Sequence, residues 1–309
     1  ALQAAERDQT VSQAVRARHH LGAKGNPVFR EVYRRPATAA GGSLLGVQLL
    51  MEHAGTVYNP AGGTHHGRPD RASGFCYLND PVLALLALLD GGLDRVLYLD
   101  LDAHHADGVQ DALAGDPRVL MISVHEDGRW PMGAAGAGPP AGTARDRGGG
   151  SARNIPVPPG FNDDEMAYVS EAAILPLAEA FEPQAVVIQG GSDATADDPL
   201  SRLALSNRAL WRTIADVAPL APRTLVLGGG GYNPWSVGRT WAGVWATLTG
   251  APIPARLPPA AEDVLRGLRW RHSRGRNPPE LWYTTLADPP RRGPVRPAVR
   301  DAVAAALTP

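Results

Sequence analysis

A run of apolar residues that ends abruptly in charge constrains this chain more than any other feature. Residues 95–101 (RVLYLDL) have the β-branched and aromatic character of a buried strand, with no polar break before Asp100. The overlapping segment YLDLDAHHADGV (98–109) then sets three carboxylates and two imidazoles at the carboxyl end of that strand. Side chains alternate along a strand, so Asp100, Asp102 and His104 share one face if the extended geometry persists. Charge at the end of a buried strand needs compensation, from a metal ion or from a dense set of hydrogen bonds. That end is also where open α/β sheets carry their ligands.

Two further segments favour the metal. GGTHH (62–66) follows a short apolar run at 55–58 and supplies His65 and His66. The strand-like run 186–189 leads through Gly190, Gly191 and Ser192 to Asp193. Asp102, His104 and Asp193 together offer two oxygen ligands and one nitrogen, a harder set than the cysteine-rich sets of structural zinc. Three protein ligands also leave room for a water. His65 and His66 remain for proton transfer, and Asp100 and Asp107 can orient them. Taken singly, each element has a blander reading. A histidine pair is usually a polar loop, and an aspartate after a strand is commonly a helix cap. The glycine run 228–231 suggests a phosphate cradle, but no Lys-Ser/Thr follows it, and Tyr232 at its end fits an oxyanion donor better. Read from residues alone, Phe75 and Trp130 are core aromatics and Cys76 is an inert buried thiol.

Apolar runs at 55–58, 95–101, 119–124, 185–189 and 223–227 alternate with helical stretches near 39–53, 80–89, 163–180, 206–217 and 236–249. The alternation predicts one α/β domain, a parallel sheet flanked by helices. Residues 133–150, rich in Gly, Ala and Arg, read as a long surface loop. Past residue 251 the chain turns Pro/Arg-rich, with helical candidates at 260–270 and 297–307. A length of 309 residues at 44% hydrophobic content suffices for a single core. A net charge of −1 gives no electrostatic case for nucleic acid or an anionic membrane. Cys76 is the only cysteine, so no disulfide framework exists and a reducing, cytoplasmic setting is expected. No apolar run reaches membrane-spanning length, and no signal-peptide pattern opens the chain.

Six motifs carry a resemblance: GGTHH (62–66), SGFCYLND (73–80), YLDLDAHHADGV (98–109), SVHEDGRWP (123–131), QGGSDATADDPL (189–200) and LGGGGYNPW (227–235). In order and spacing they resemble the arginase–deacetylase superfamily. The nearest likeness is to bacterial acetoin-utilisation deacetylases, which are similar to class I histone deacetylases. The resemblance implies a deacetylase-like catalytic domain over 1–250, short at its N-terminus, with 251–309 as an extension packed on it. It implies that Asp102, His104 and Asp193 bind the catalytic metal, Zn2+ with Fe2+ as the alternative. His65 would pair with Asp100, and His66 with Asp107. Tyr232 would donate to the oxyanion, and Gly74, Phe75 and Trp130 would line a tunnel for acyl-lysine. A structural K+ would be held by main-chain carbonyls of Asp100, Asp102, His104 and Val124 with the Ser123 hydroxyl.

The expected substrate is an acetylated protein, with an acetylpolyamine or other small acetyl-amide as the rival. An inactive, binding-only fragment of the same fold is the alternative of a different class. A true arginase would need further carboxylates for a second manganese. The likeness also implies a strand and helices ahead of residue 21, for which residues 1–18 leave no room; a strand lost from the sheet interior would leave unpaired backbone groups. Three positions depart from the family pattern. Met132 to Gly136 stand in place of Gly-Thr-Gly at the tunnel rim, Gly25 replaces an aspartate that grips the substrate backbone, and Gly190 replaces a cysteine.

Overall fold

In the computed structural model, which describes residues 1–132 and 141–308, six parallel strands form one sheet. They are β1 (Gly55–Asn59), β2 (Val96–Asp100), β3 (Val119–Glu126), β4 (Ala152–Val157), β5 (Ala185–Gln189) and β6 (Arg223–Leu227). Their order across the sheet is β1-β6-β5-β2-β3-β4. Among the described residues neighbouring strands pair continuously, and the unpaired edges are those of β1 and β4. Residues Leu2–Asp8 and Gln13–His19 form two short helices over a small cluster containing Ala5, Leu21 and Tyr77.

The central strands are buried on both faces, which is why they read as unbroken apolar runs. Leu97 and Leu99 of β2 face a core shared with Ile122, Ile155, Ile188 and Val226, under the helices Asn207–Val217, Pro234–Thr249 and Pro297–Leu307. Val96 and Tyr98, one residue out of phase, face the opposite cluster under Arg34–Glu52 and Asp80–Asp90. Chain order reverses between β2 and β5: the path runs outward through β3 and β4, then returns to β5 and β6 on the other side. Such a reversal opens a crevice beyond the carboxyl ends of the strands, the preferred ligand site of open α/β sheets. Asp100 lies beside Gln189 of β5 and Ser123 of β3 in register, so the charged segment opens directly into that crevice.

Two expectations need correction. β4 was not anticipated, because Arg153, Asn154 and Pro156 break its apolar pattern; it is an edge strand, where proline is tolerated. The run 163–180 is one path of three segments, Asp163–Val169, a π-helical turn at Ser170–Ile174 and Leu175–Phe181. Of the expected loop 133–150 and the rim departure at 132–136, positions 133–140 lie outside the described residues.

Residues beyond 251 contribute Leu286, Val299 and Val303 to the main core. They are also tied to it by Arg239, 1% exposed, whose guanidinium lies 2.7 Å from the Asp288 carboxylate. Removing one partner of a buried ion pair strands the other charge. The Asp288→Ala variant is expected to lose about 3–5 kcal/mol of stability, checked by urea denaturation. A loss below about 1 kcal/mol would show that the pair is solvated and does not hold the extension.

Candidate active site

β2 ends at Asp100, and residues 101–106 leave the sheet irregularly, so the extended geometry does not persist as far as His104. The irregular turn still delivers Asp102 and His104 to the crevice, and the loop after β5 brings Asp193 to them. His104 Nδ1 lies 3.0 Å from Asp102 Oδ1 and 3.0 Å from Asp193 Oδ2. All three side chains are buried, and their donor atoms lie within 4.8 Å of one another. Backbone amides aim the carboxylates: Ala103 N–H donates to Asp193 Oδ1 at 2.9 Å, and Gly230 N–H to Asp102 Oδ2 at 2.8 Å. The Gln189 side-chain amide also donates to Asp102 Oδ2, at 2.8 Å. The glycine run serves this close approach. A Cβ at Gly230 would fall 2.1 Å from Asp193 Oδ2, and one at Gly191 2.5 Å from Asp102 Oδ2.

Among the described residues no arginine or lysine pairs with Asp102 or Asp193, so two buried carboxylates share one imidazole. Burial and the neighbouring Asp102 charge push Asp193 up to about 7. Burial opposes ionisation of Asp102 as well, but His65 and His104 hold it well below the usual carboxylate range. Burial also works against charge on His104, yet its hydrogen bonds to both acids raise it to about 10. The imidazolium thus fills the place of a cation. Two oxygens and a nitrogen, convergent and short of positive charge, fit a divalent ion. Metal entry must therefore expel protons. At pH 7 titration calorimetry in buffers of different ionisation enthalpy should record release of more than one proton per ion, rising towards two near pH 6 as Asp193 protonates. Affinity should weaken as pH falls. Loading without proton release would mean that His104 is not a ligand.

Two histidine–aspartate pairs stand beside this triad. His65 Nδ1 donates to Asp100 Oδ2 at 2.8 Å, and the Tyr98 hydroxyl donates to the same oxygen at 2.5 Å. His66 Nδ1 donates to Asp107 Oδ1 at 2.6 Å, and Arg68 pairs with the second oxygen of Asp107. The Nε2 atoms lie 3.0 Å apart, too close for both rings to carry charge. Burial lowers both, but Asp100 and Asp102 bring His65 to about 9, whereas burial and the His65 charge press His66 down to about 4. Asp80 anchors the GGTHH turn, accepting from Gly63 N at 3.0 Å and Thr64 N at 2.8 Å.

Over these groups opens a cavity of about 650 Å³, bordered by His65, His66, Asp102 and Tyr232 within and by Phe29 and Phe75 outside. The expectation from residues alone that Phe75 and Trp130 are core aromatics fails: they are 56% and 51% exposed. Trp130 meets the His66 ring edge-on at 4.7 Å between centroids, and Phe75 stacks on Phe29 at 6.1 Å. Gly74 makes the Trp130 contact possible, since a Cβ there would fall 2.5 Å from the indole and 2.6 Å from His66. Buried Asn26 fixes the Phe75 turn by accepting its N–H at 2.9 Å. Tyr232 is 43% exposed, and burial with the Asp193 charge raises its phenol above the ordinary value. The Cys76 thiol is pushed by burial up to about 12, as an inert thiol should be. Ser123, wholly buried, meets His125 Nδ1 at 2.8 Å, and Val124 follows it on β3.

Sequence reasoning missed Tyr98, Gln189, Arg68, Asp80, Asn26 and Phe29. Tyr98 alone had a local signal, being two residues before Asp100 on the same strand face. The others act across 16 to 87 positions of chain.

A family model described as the histone deacetylase domain matches residues 1–248. Histone deacetylase 8 of Xenopus laevis is 34% identical over 237 residues, which cover 75% of this chain and 71% of that protein. Histone deacetylase 1 of Homo sapiens is 35% identical over 237 residues, 75% of this chain but only 48% of its own length. A crystal structure of an HDAC homolog from Aquifex aeolicus superposes with a TM-score of 0.88 at 32% identity, covering 99% of this chain and 82% of that one. An HDAC homolog complexed with SAHA gives a TM-score of 0.89 at 33% identity, with the same coverage.

Proposed function

Because this chain belongs to the histone deacetylase family, we propose that it is a metal-dependent amidohydrolase that removes acetyl groups from lysine side chains of proteins. The observation that carries the reading is two oppositely tuned histidine–aspartate pairs facing a buried Asp–His–Asp set across one aromatic-walled cavity. A divalent ion at Asp102, His104 and Asp193, zinc or ferrous iron, would supply Lewis acidity at the acetyl carbonyl and make water there more acidic. His66, neutral and held by Asp107, takes the proton from the attacking water at Nε2 and later gives it to the leaving amine. His65, kept charged by Asp100, favours the developing negative charge. The Tyr232 hydroxyl donates to the oxyanion. Gly74, Phe75 and Trp130 guide the lysine methylenes to that point. Potassium would be held near Asp100 by the carbonyls of Asp100, Asp102, His104 and Val124 with the Ser123 hydroxyl. The buried position of Ser123 next to Asp100 in register supports that assignment.

A small cationic substrate is less well served. Of the two acids near the rim motif, Glu126 is buried and engaged by Arg129 and Arg202 at 2.5 and 2.9 Å, so it offers no free charge to a polyamine and leaves Asp127, exposed beside it, as the single acid there. An intact metal set and intact dyads also count against a binding-only fragment. The test is turnover of an acetyl-lysine peptide against acetylated polyamines after separate zinc and iron reconstitution. The peptide should be the better substrate. The Tyr232→Phe variant should lose about 10²–10³ in kcat at unchanged metal content. Fully metal-loaded protein that hydrolyses neither substrate would end the proposal.

A further inference from the structure

Tyr232 must reach the reacting carbonyl from a glycine turn whose Gly230 is held on the metal-ligand side, by its N–H to Asp102 Oδ2 at 2.8 Å and by Ser192 N–H to its oxygen at 2.7 Å. Gly228 to Gly231 precede Tyr232, and only glycine fits at Gly231, which sits at φ 154° and where a Cβ would fall 2.1 Å from Ser192 Oγ. The Tyr232 side chain projects into the cavity, so its position is set by its backbone. That backbone is gripped from outside the turn: Tyr232 N–H donates to Asp198 Oδ2 at 2.6 Å. Asp198 is wholly buried, and its other oxygen accepts Leu200 N–H at 2.8 Å, so the carboxylate closes its own turn while holding the tyrosine.

The turn that carries Asp198 is held in its turn by residues beyond 251. Arg274 donates to the Asp198 main-chain oxygen at 2.9 Å, and the Trp282 indole N–H donates to Asp197 Oδ2 at 3.0 Å. Asn233, the residue after Tyr232, donates its side-chain amide to the Asp197 oxygen at 3.1 Å. Trp282, 3% exposed, also stacks on Trp235 at 5.4 Å, and Trp235 donates to Leu265 O at 2.8 Å. The Asp197–Asp198 turn, which bonds both Tyr232 and Asn233, is thus fastened to the extension through Arg274 and Trp282, and Trp235, three residues past Tyr232, contacts the extension directly. The family match stops at residue 248, so Leu265, Arg274 and Trp282 lie outside it, although the similar HDAC homolog structures cover 99% of this chain.

We propose that the C-terminal extension positions Tyr232 for catalysis, acting through the Asp197–Asp198 turn. The inference rests on the proposed role of Tyr232 as oxyanion donor. Asp198 and Trp282 are positioning residues, since neither borders the cavity. A carboxylate can accept two N–H groups at once, whereas an amide can accept with one end only. The Asp198→Asn variant therefore frees one of the two amides.

The experiment measures kcat, KM and metal content on an acetyl-lysine peptide for Asp198→Asn, Trp282→Phe and Arg274→Ala, each alone and combined with Tyr232→Phe. Asp198→Asn should reduce kcat roughly tenfold with KM and metal content unchanged, and Trp282→Phe, which keeps an aromatic ring of smaller size but loses the N–H, roughly two- to fivefold. In the Tyr232→Phe background each should change kcat by less than about twofold, because a misplaced ring without its hydroxyl has nothing left to lose. Hydrogen exchange of the metal-free protein should show faster exchange across 228–236 in Trp282→Phe and Arg274→Ala. Arg274→Ala removes one side-chain hydrogen bond to the turn, and Trp282→Phe removes one together with part of a buried ring, so both keep the test open if Asp198→Asn does not fold. Effects that multiply with Tyr232→Phe, or unchanged kcat and exchange in the Trp282 and Arg274 variants, would overturn the proposal. A Tyr232→Phe enzyme with normal kcat would instead remove the oxyanion role, a separable failure.

Discussion

Two carboxylates buried side by side without a matching cation are the constraint on which this structure turns. Asp102 and Asp193 come from the ends of adjacent strands, β2 and β5, on either side of the point where chain order reverses. Coulomb repulsion at that separation is severe in a low-dielectric interior, and burial adds a desolvation penalty for each. The fold answers with main-chain amides from Ala103 and Gly230, with the Gln189 amide, and with a proton on His104. None of these neutralises both acids. The set is able to hold a metal ion, and the rigidity of a sheet buried on both faces keeps its ligands in place.

The same electrostatics divides labour between two adjacent histidines. His65 and His66 are neighbours in sequence with nearly identical burial, and each bonds one aspartate. They diverge because Asp100 and Asp102, the latter 3.8 Å from its Nε2, outweigh burial at His65, while at His66 burial and the charge that His65 then carries outweigh Asp107 and Asp102. One proton is favoured on the pair and a second is not. Arg68 reinforces the asymmetry by sharing Asp107, so the acid facing His66 is partly spoken for. A spectator cation beside a neutral base is a useful pair for a reaction that builds negative charge and moves one proton.

Much of the fold could be read directly. β5 and β6 coincide with the apolar runs 185–189 and 223–227, since strands covered on both faces have no polar alternation to blur their ends. β4 could not, because an edge strand tolerates Arg153, Asn154 and Pro156 in ARNIPV, and those residues spell loop. In the site, the ligand and dyad residues stood out because Asp and His at strand ends have few inexpensive explanations. Tyr98, Gln189 and Asp198 did not, since a tyrosine in a strand or an aspartate before a proline is ordinary until its partner is known. Phe75 and Trp130 carried the opposite error: aromatic side chains default to the core, and only their surroundings show them half open to the cavity.

The sequence by itself determined which groups this protein has to work with: apolar runs that must be buried, acids and imidazoles that cannot be buried alone, and glycines where no Cβ fits. Those are properties of each residue and its near neighbours, so they survive without coordinates. Only the tertiary structure decided which groups meet, which of two histidines keeps the proton, and that residues past 251 reach back to the turn bearing Tyr232. Distance, burial and charge–charge coupling arise between segments tens to hundreds of positions apart, and no local pattern encodes them.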